Sequence, residues 1–559
     1  MSKKIFFKIF LQFFCGLLLF IGLRQVRYTW DLTADGRHTL HPQTIEILKN
    51  LENSIQIHIY LAGDLPQDYK KLKESTESLL ENLKRYTKFP LTYRFIDPYQ
   101  TEDEKKREEL LAQLEKEGLQ QSVHEFEEND GFKRKIIVPA GLIYYQDRKF
   151  PIQLLQGQFL SQTNPFLMEQ AVQKLEYLFA QTLAQVTQKQ KKKIGFTQSN
   201  QELERGNVKD IFNQISQLYQ PEFVQVGESA EDFEKLLNYD LLLIAKPLKP
   251  YTEAQKYLLD QYLMRGKKII WLISTVQVQK ELLQRGESAT VEPIKLNLDD
   301  LFFKYGIKIQ YNLVADAFCL PLQLPAGQAQ GKTLFKEGSW YFHPLINSLE
   351  NHSINRNIDP VLMHYTSSLE SVIKENQKLT TLLTTSMYST VLKVPTTIQY
   401  QMALYPLEKM ASQYIPHRML GVLVEGHFNS LYENRPLPVP DIPFISEISE
   451  QSLIVISDGE LIYNAYNPST GAYIPVGFDF QQNEIVYGNM AFVLNAIDDL
   501  IADFPLQELR LKNIEIRPLD LEKVKKEKTF WRFFNLILPL CFVILMALIF
   551  WFWRRGQNS

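Results

Sequence analysis

Ser457-Asp458-Gly459-Glu460 follows an apolar run, Ser452–Ile456, that reads as a strand, and α/β proteins bind ligands at such strand ends. A hydroxyl, two carboxylates and a glycine there suit hydrogen bonding to a small polar group. Asp-Gly after a strand is also the ordinary recipe for a turn, and the turn is the reading preferred here. In Val424-Glu425-Gly426-His427-Phe428, Glu425 and His427 share one face of an expected strand, as two metal ligands would. No second pair at ligand spacing joins them, so no metal is assigned. Ser457, Asp458, Glu425 and His427 together form the candidate ligand or partner surface.

The remaining candidates are weaker. A nucleophilic thiol needs a helix N-terminus or a histidine to lower its pKa. Cys319, in Asp316-Ala317-Phe318-Cys319-Leu320-Pro321, precedes a proline loop instead and reads as a buried structural thiol. His343 and His352 fall in an irregular stretch and read as loop histidines, with a metal site as the alternative. The chain has no G-x-S-x-G elbow, no phosphate loop of the G-x-x-x-x-G-K-[ST] type, no H-E-x-x-H and no G-x-G-x-x-G. The expectation is no catalytic residue, no cofactor, no metal and no ATPase site.

The elements that must position these residues can be read from periodicity. Residues 31–160 show strands at Ile55–Leu61 and Leu91–Ile96. A helical stripe runs through Tyr69, Leu72, Thr76, Leu79, Leu83 and Tyr86, and a hairpin of Lys135–Tyr145 with Lys149–Leu154 turns around Asp147. The order βαβαββ is that of a thioredoxin-like domain, here without a redox cysteine pair. A connecting helix is expected over 164–189. From 190 to 520, strands alternate with helices, and runs such as Leu241–Ala245 read as strands buried on both faces, which implies a doubly wound parallel sheet. Residues 276–400 form an irregular insert, loop-rich beyond Pro321, and Pro436–Pro443 an extended loop.

Two apolar runs flank this body. Ile5–Leu23 would cover roughly 28 Å as a helix, close to a bilayer core, and no small-residue cleavage site follows it. Phe533–Trp553 is bounded by Trp531 and by Arg554-Arg555, as a spanning helix would be, and tolerates Pro539. Lys3, Lys4 and Lys8 favour a cytoplasmic N-terminus, whereas Lys523, Lys525, Lys526, Lys528 and Arg532 point the other way. The first helix usually dominates, which favours an external, periplasmic body. A net charge of −3 leaves no footprint for nucleic acid. Cys15 and Cys541 lie in the apolar runs, so the body's single thiol excludes a disulfide framework.

Several strings, in order along nearly the whole chain, resemble the GldG family, gliding-motility-associated ABC transporter auxiliary (so-called substrate-binding) proteins of Bacteroidetes-type bacteria. They are Tyr28–Leu40 (YTWDLTADGRHTL), Tyr93–Pro98, Gln261–Leu272 (QYLMRGKKIIWL), Leu296–Gly306, His352–Asn357, Leu383–Ser386, Val455–Glu460 (VISDGE) and Tyr487–Asn495 (YGNMAFVLN). The resemblance implies an ABC ATPase and a permease as partners, a periplasmic body on the bacterial inner membrane, and a role in gliding motility or its associated secretion. It also implies a glutamine-amidotransferase-like second domain that has lost catalysis, a module shared with an intraflagellar transport component. One departure is Ser274, where the family pattern leads us to expect an acidic residue. The sequence therefore reads as a non-enzymatic auxiliary subunit; a tethered ligand receptor and a hydrolase or amidotransferase using Cys319 or Asp458 are the alternatives.

Overall fold

Alternating burial along Ile55–Ile59 (β1), with Ile55, Ile57 and Ile59 inward, makes this segment the centre of a four-stranded sheet. Its partners are Leu91–Phe95 (β2), Ala140–Tyr145 (β3) and Arg148–Gln153 (β4), in the order β2-β1-β3-β4. β1 and β2 run parallel and the other pairs antiparallel. The computed structural model describes residues 39–100, 103–128, 131–155, 165–187, 191–329, 332–347, 352–356, 358–410, 413–468, 471–480, 482, 484–503, 506, 509 and 521–556. The first apolar run, 5–23, lies outside the described residues.

The single strand expected over Lys135–Tyr145 is interrupted. Pro139, which has no N–H to give a ladder, separates β3 from a preceding hairpin of Ser122–Glu128 with Gly131–Ile137. On the sheet pack the helix Gln67–Lys84, through Tyr69, Leu72, Leu80 and Leu83, and the helix Pro165–Thr187, through Met168, Leu175, Phe179 and Leu183. The segment expected as a connector thus completes this core.

A second, nine-stranded sheet contains Lys193–Thr197 (β5), Gln220–Val224 (β6), Leu241–Ala245 (β7), Lys268–Leu272 (β8), Ile307–Ile309 (β9), Leu369–Ser371 (β10), Gln377–Thr384 (β11), Met419–Asn429 (β12) and Glu447–Ile456 (β13). Its order is β9-β10-β12-β13-β8-β7-β5-β6, with β11 on β12. Along β6-β5-β7-β8-β13 every neighbouring pair is parallel; β12 pairs antiparallel with β13, so the expected all-parallel sheet is mixed. Both faces of the parallel part are covered. Leu242 and Ile244 of β7 join a core with Tyr262, Trp271 and Val455, while Leu241, Leu243 and Ala245 join another with Ile270, Ile456, Phe492 and Ile497. Helices Glu253–Met264 and Asn489–Ile501 serve opposite faces. A continuous apolar strand is what this arrangement requires.

The insert is richer in strands than expected. Cys319–Ala329 pairs with Lys332–Ile346 in a long hairpin, and Trp340 and Phe342 are buried in a core with Val291, Leu313 and Ile398. Pro321 and Pro325 sit on a strand paired along one edge only, beside a register shift at Pro325/Gly327, where a missing donor costs little. Both sheets belong to one unit, and Asn513–Ser559 falls in a second. The second contains the helix Leu521–Gly556, whose 23-residue segment Glu527–Ile549 holds an 18-residue stretch of mean hydropathy 2.3, none of it buried.

Candidate functional site

Leaving β13, the chain makes a tight, buried turn. Ser457 donates from Oγ to the Leu420 carbonyl (2.9 Å) and meets Thr366 Oγ1 at 2.7 Å, so its hydroxyl is fully engaged. Asp458 accepts from the Glu460 N–H (2.7 Å) through Oδ1 and from the His364 N–H (2.8 Å) through Oδ2, with His364 Nδ1 3.4 Å away. The Gly459 N–H donates to Ser274 Oγ at 3.0 Å. Ser274, at the end of β8, therefore props the turn, and a carboxylate is not needed there. A Cβ on Gly459 would lie 2.8 Å from the Lys246 backbone, so only glycine allows β7 and β13 to end this close.

That closeness aims Glu460 at two lysines. Glu460 is 6% exposed; Lys246 Nζ lies 2.6 Å from Oε1 and Lys280 Nζ 2.6 Å from the same oxygen. Burial alone would raise its pKa, but Lys280, Lys246 and His364 together outweigh burial and hold the carboxyl well below the usual range. Lys246 reaches this position with φ +54°, and Lys280 starts the short helix Lys280–Gln284. Lys280 also lies 5.4 Å over the Tyr365 ring.

His343 closes the cluster, its ring 4.9 Å from that of His364 and 4.5 Å from that of Tyr365. Both ring nitrogens are buried without a hydrogen-bond partner, although part of the residue reaches the surface. Burial, then His364 and Lys280, push its pKa well down, so the ring is neutral. An unpaired buried polar group costs about 1–3 kcal/mol.

The crevice where strand order reverses, between β5 and β7, is the usual ligand position in a sheet ordered 2-1-3-4-5. Here the loop after β5 fills it. Asn200 donates from Nδ2 to the Pro250 carbonyl (3.1 Å) and Gln255 Oε1 (3.2 Å), its N–H donates to Glu202 (2.6 Å), and the Leu203 N–H donates to the Ala245 carbonyl (3.0 Å). The accessible polar cluster is displaced to the ends of β7, β8 and β13.

The structure separates the four sequence candidates. Glu425 lies opposite Ser452 and Asn429 opposite Glu447, so Glu425 and His427 sit towards the start of β13, whereas Ser457 and Asp458 follow its end. Gly426, at φ +119° beside a register shift, breaks the alternation, and each side chain takes its own partner: Glu425 with Lys378 (3.7 Å), His427 with Glu447 (3.2 Å). Cys319 is half-buried in the hairpin, its thiol pushed up to about 12 by burial and by Asp316. His352 caps Ser353–Asn355, accepting from the Ile354 N–H. Among the described residues no three metal-ligating side chains converge. Sequence reasoning missed Lys246, Lys280, His364 and Tyr365. Only Lys246, directly after an apolar strand, carried a signal; the other three come from the insert, whose path periodicity does not give.

The family described as an ABC-type uncharacterized transport system matches residues 191–496, more than half of the chain. The chain belongs to this family. This transport-system protein also matches a domain of unknown function, DUF7088, over residues 34–144. It is similar to an uncharacterized protein of Borreliella burgdorferi, 21% identical over 460 residues, covering 80% of each chain. Among solved structures it is similar to the mmIFT52 N-terminal domain (13% identity, TM-score 0.32, 55% of this chain and 96% of that one). It is similar too to a ThuA-like protein from Parabacteroides merdae (10% identity, TM-score 0.25, 59% and 94%).

Proposed function

We propose that this transport-system protein is a non-enzymatic auxiliary subunit, held in the bacterial inner membrane at both ends, that presents a periplasmic α/β body to an ABC permease and ATPase. The observation that carries this reading is Glu527–Ile549, an apolar helix segment with no buried part, in a chain of an ABC-type transport family. The run Ile5–Leu23 is the second anchor in this proposal. The resemblance to the GldG family supports a link to gliding motility or its secretion. The order β2-β1-β3-β4 supports a thioredoxin-like domain over 31–160, and the five parallel strands support an amidotransferase-like domain over 190–520. The raised thiol of Cys319 supports the non-enzymatic reading, because a nucleophile needs the opposite shift.

The test is isolation of the tagged full-length chain from its native membrane in mild detergent. Permease and ATPase subunits at fixed stoichiometry are the expected result. Recovery of the chain alone, under conditions that keep other ABC complexes intact, counts against the proposal.

A further inference from the structure

The cluster at the ends of β7, β8 and β13 has a surplus of hydrogen-bond donors. Its acceptors are taken: both Glu460 oxygens face Lys280, one of them also Lys246, and both Asp458 oxygens accept from the Glu460 and His364 N–H groups. An ammonium carries three N–H donors, so Lys246, with one given to Glu460, and Lys280, with two, both have protons to spare. A neutral His343 adds a ring N–H that nothing accepts. Lys246, Lys280 and His364 are each partly exposed, so the spare ammonium protons border solvent.

We infer that this cluster, Lys246, Lys280, His343 and His364 around Glu460, is a binding site for the oxyanion group, carboxylate or phosphate, of a small ligand. An incoming oxyanion accepts the spare ammonium protons and the His343 N–H, which nothing else in the fold supplies with an acceptor. Glu460 keeps the lysines in place and, with Asp458, balances their two charges, which makes the site a receptor for one oxyanion group and not a polyanion patch. A divalent cation is the wrong guest, because the Glu460 carboxylate is closed by two ammonium groups and that of Asp458 by two backbone N–H groups. Tyr463, partly exposed with Lys246 5.9 Å over its ring, supplies aromatic surface for the rest of the ligand.

This inference goes beyond the assembly reading and fails separately from it, since it is read on the isolated chain. The experiment is calorimetric titration of the full-length protein in detergent, in phosphate-free zwitterionic buffer, with inorganic phosphate and with malonate. Saturable binding of at least one is expected; the tighter one tells phosphate from carboxylate. Lys280→Met should weaken it by about tenfold or more, and Lys280→Arg should restore it. His343→Phe keeps the ion cluster whole, so it should raise the unfolding midpoint while weakening the anion, and it serves if Lys280→Met fails to fold. Absence of saturation by either anion in a natively folded chain overturns the site. So does binding unchanged in both Lys280→Met and His343→Phe, or saturation by zinc that expels the anion.

Discussion

Lys280 Nζ stands 2.6 Å from Glu460 Oε1 and 2.5 Å from Oε2, so one ammonium closes both oxygens of a nearly buried carboxylate. The two residues are 180 positions apart in sequence, and the pair ties the start of the insert to the turn after β13. Glu460→Gln should destabilise the chain by about 2 kcal/mol at neutral pH, because it leaves two ammonium groups short of a charge. The sign with pH follows from the depressed carboxyl. The contribution is fully present above the ordinary value of 4.5 and is lost as pH falls through the lower folded value. Urea unfolding of both chains should show a gap that closes in acid; a gap that widens there would contradict the pairing.

Asp260 gives a contrasting case. Its carboxylate, wholly buried, accepts from Ser430 (2.6 Å), Tyr305 (2.7 Å) and the Leu431 N–H (2.8 Å), and burial raises its pKa. Asp260→Ala strands these three donors, removes a fourth bond from Gln261 Nε2 (3.0 Å) and should cost about 3–4 kcal/mol, whereas Tyr305→Phe removes one and should cost about 1 kcal/mol. Denaturant midpoints decide the order. Equal losses would mean that Asp260 does not organise this part of the core.

Cys319 should be a poor nucleophile. With its thiol pushed up to about 12, it carries almost no thiolate near pH 8. In a chain with Cys15 and Cys541 changed to serine, iodoacetamide should modify Cys319 at least about tenfold more slowly than free cysteine. Modification as fast as the free amino acid would reopen the enzymatic alternative.

The segment Glu527–Ile549 should insert into a bilayer by itself. Fused into a glycosylation-reporter protein, it should span, and Leu540→Arg near the centre of its apolar part should disfavour insertion by about 3 kcal/mol. Equal insertion of both sequences would remove this segment from the list of anchors.

The α/β class and the buried strand Leu241–Ala245 were legible because a strand covered on both faces needs an unbroken apolar run. Gly266 (φ +80°) and Gly306 (φ +90°) each lie two residues past a helix end, at Met264 and Lys304, where few other residues take that conformation without strain. Pattern reading failed where pairing decides. Nothing local in residues 319–346 says that two proline-bearing segments form a hairpin around Trp340, and one strand was read where Pro139 makes two. Glu425 and His427 looked like one face until the Gly426 bulge intervened. Ser457 and Asp458 lie just past the end of β13, and both are consumed by the turn. The side chains facing outward, Lys246 and Lys280, are ordinary lysines until folding brings Glu460 between them.

The loop from Gln198 to Leu203 occupies the seat that a sheet of this order commonly offers to a nucleotide's phosphates. With that seat closed by its own Asn200 and Leu203, the parallel strands remain a rigid platform whose outward polar groups are those set around the turn after β13.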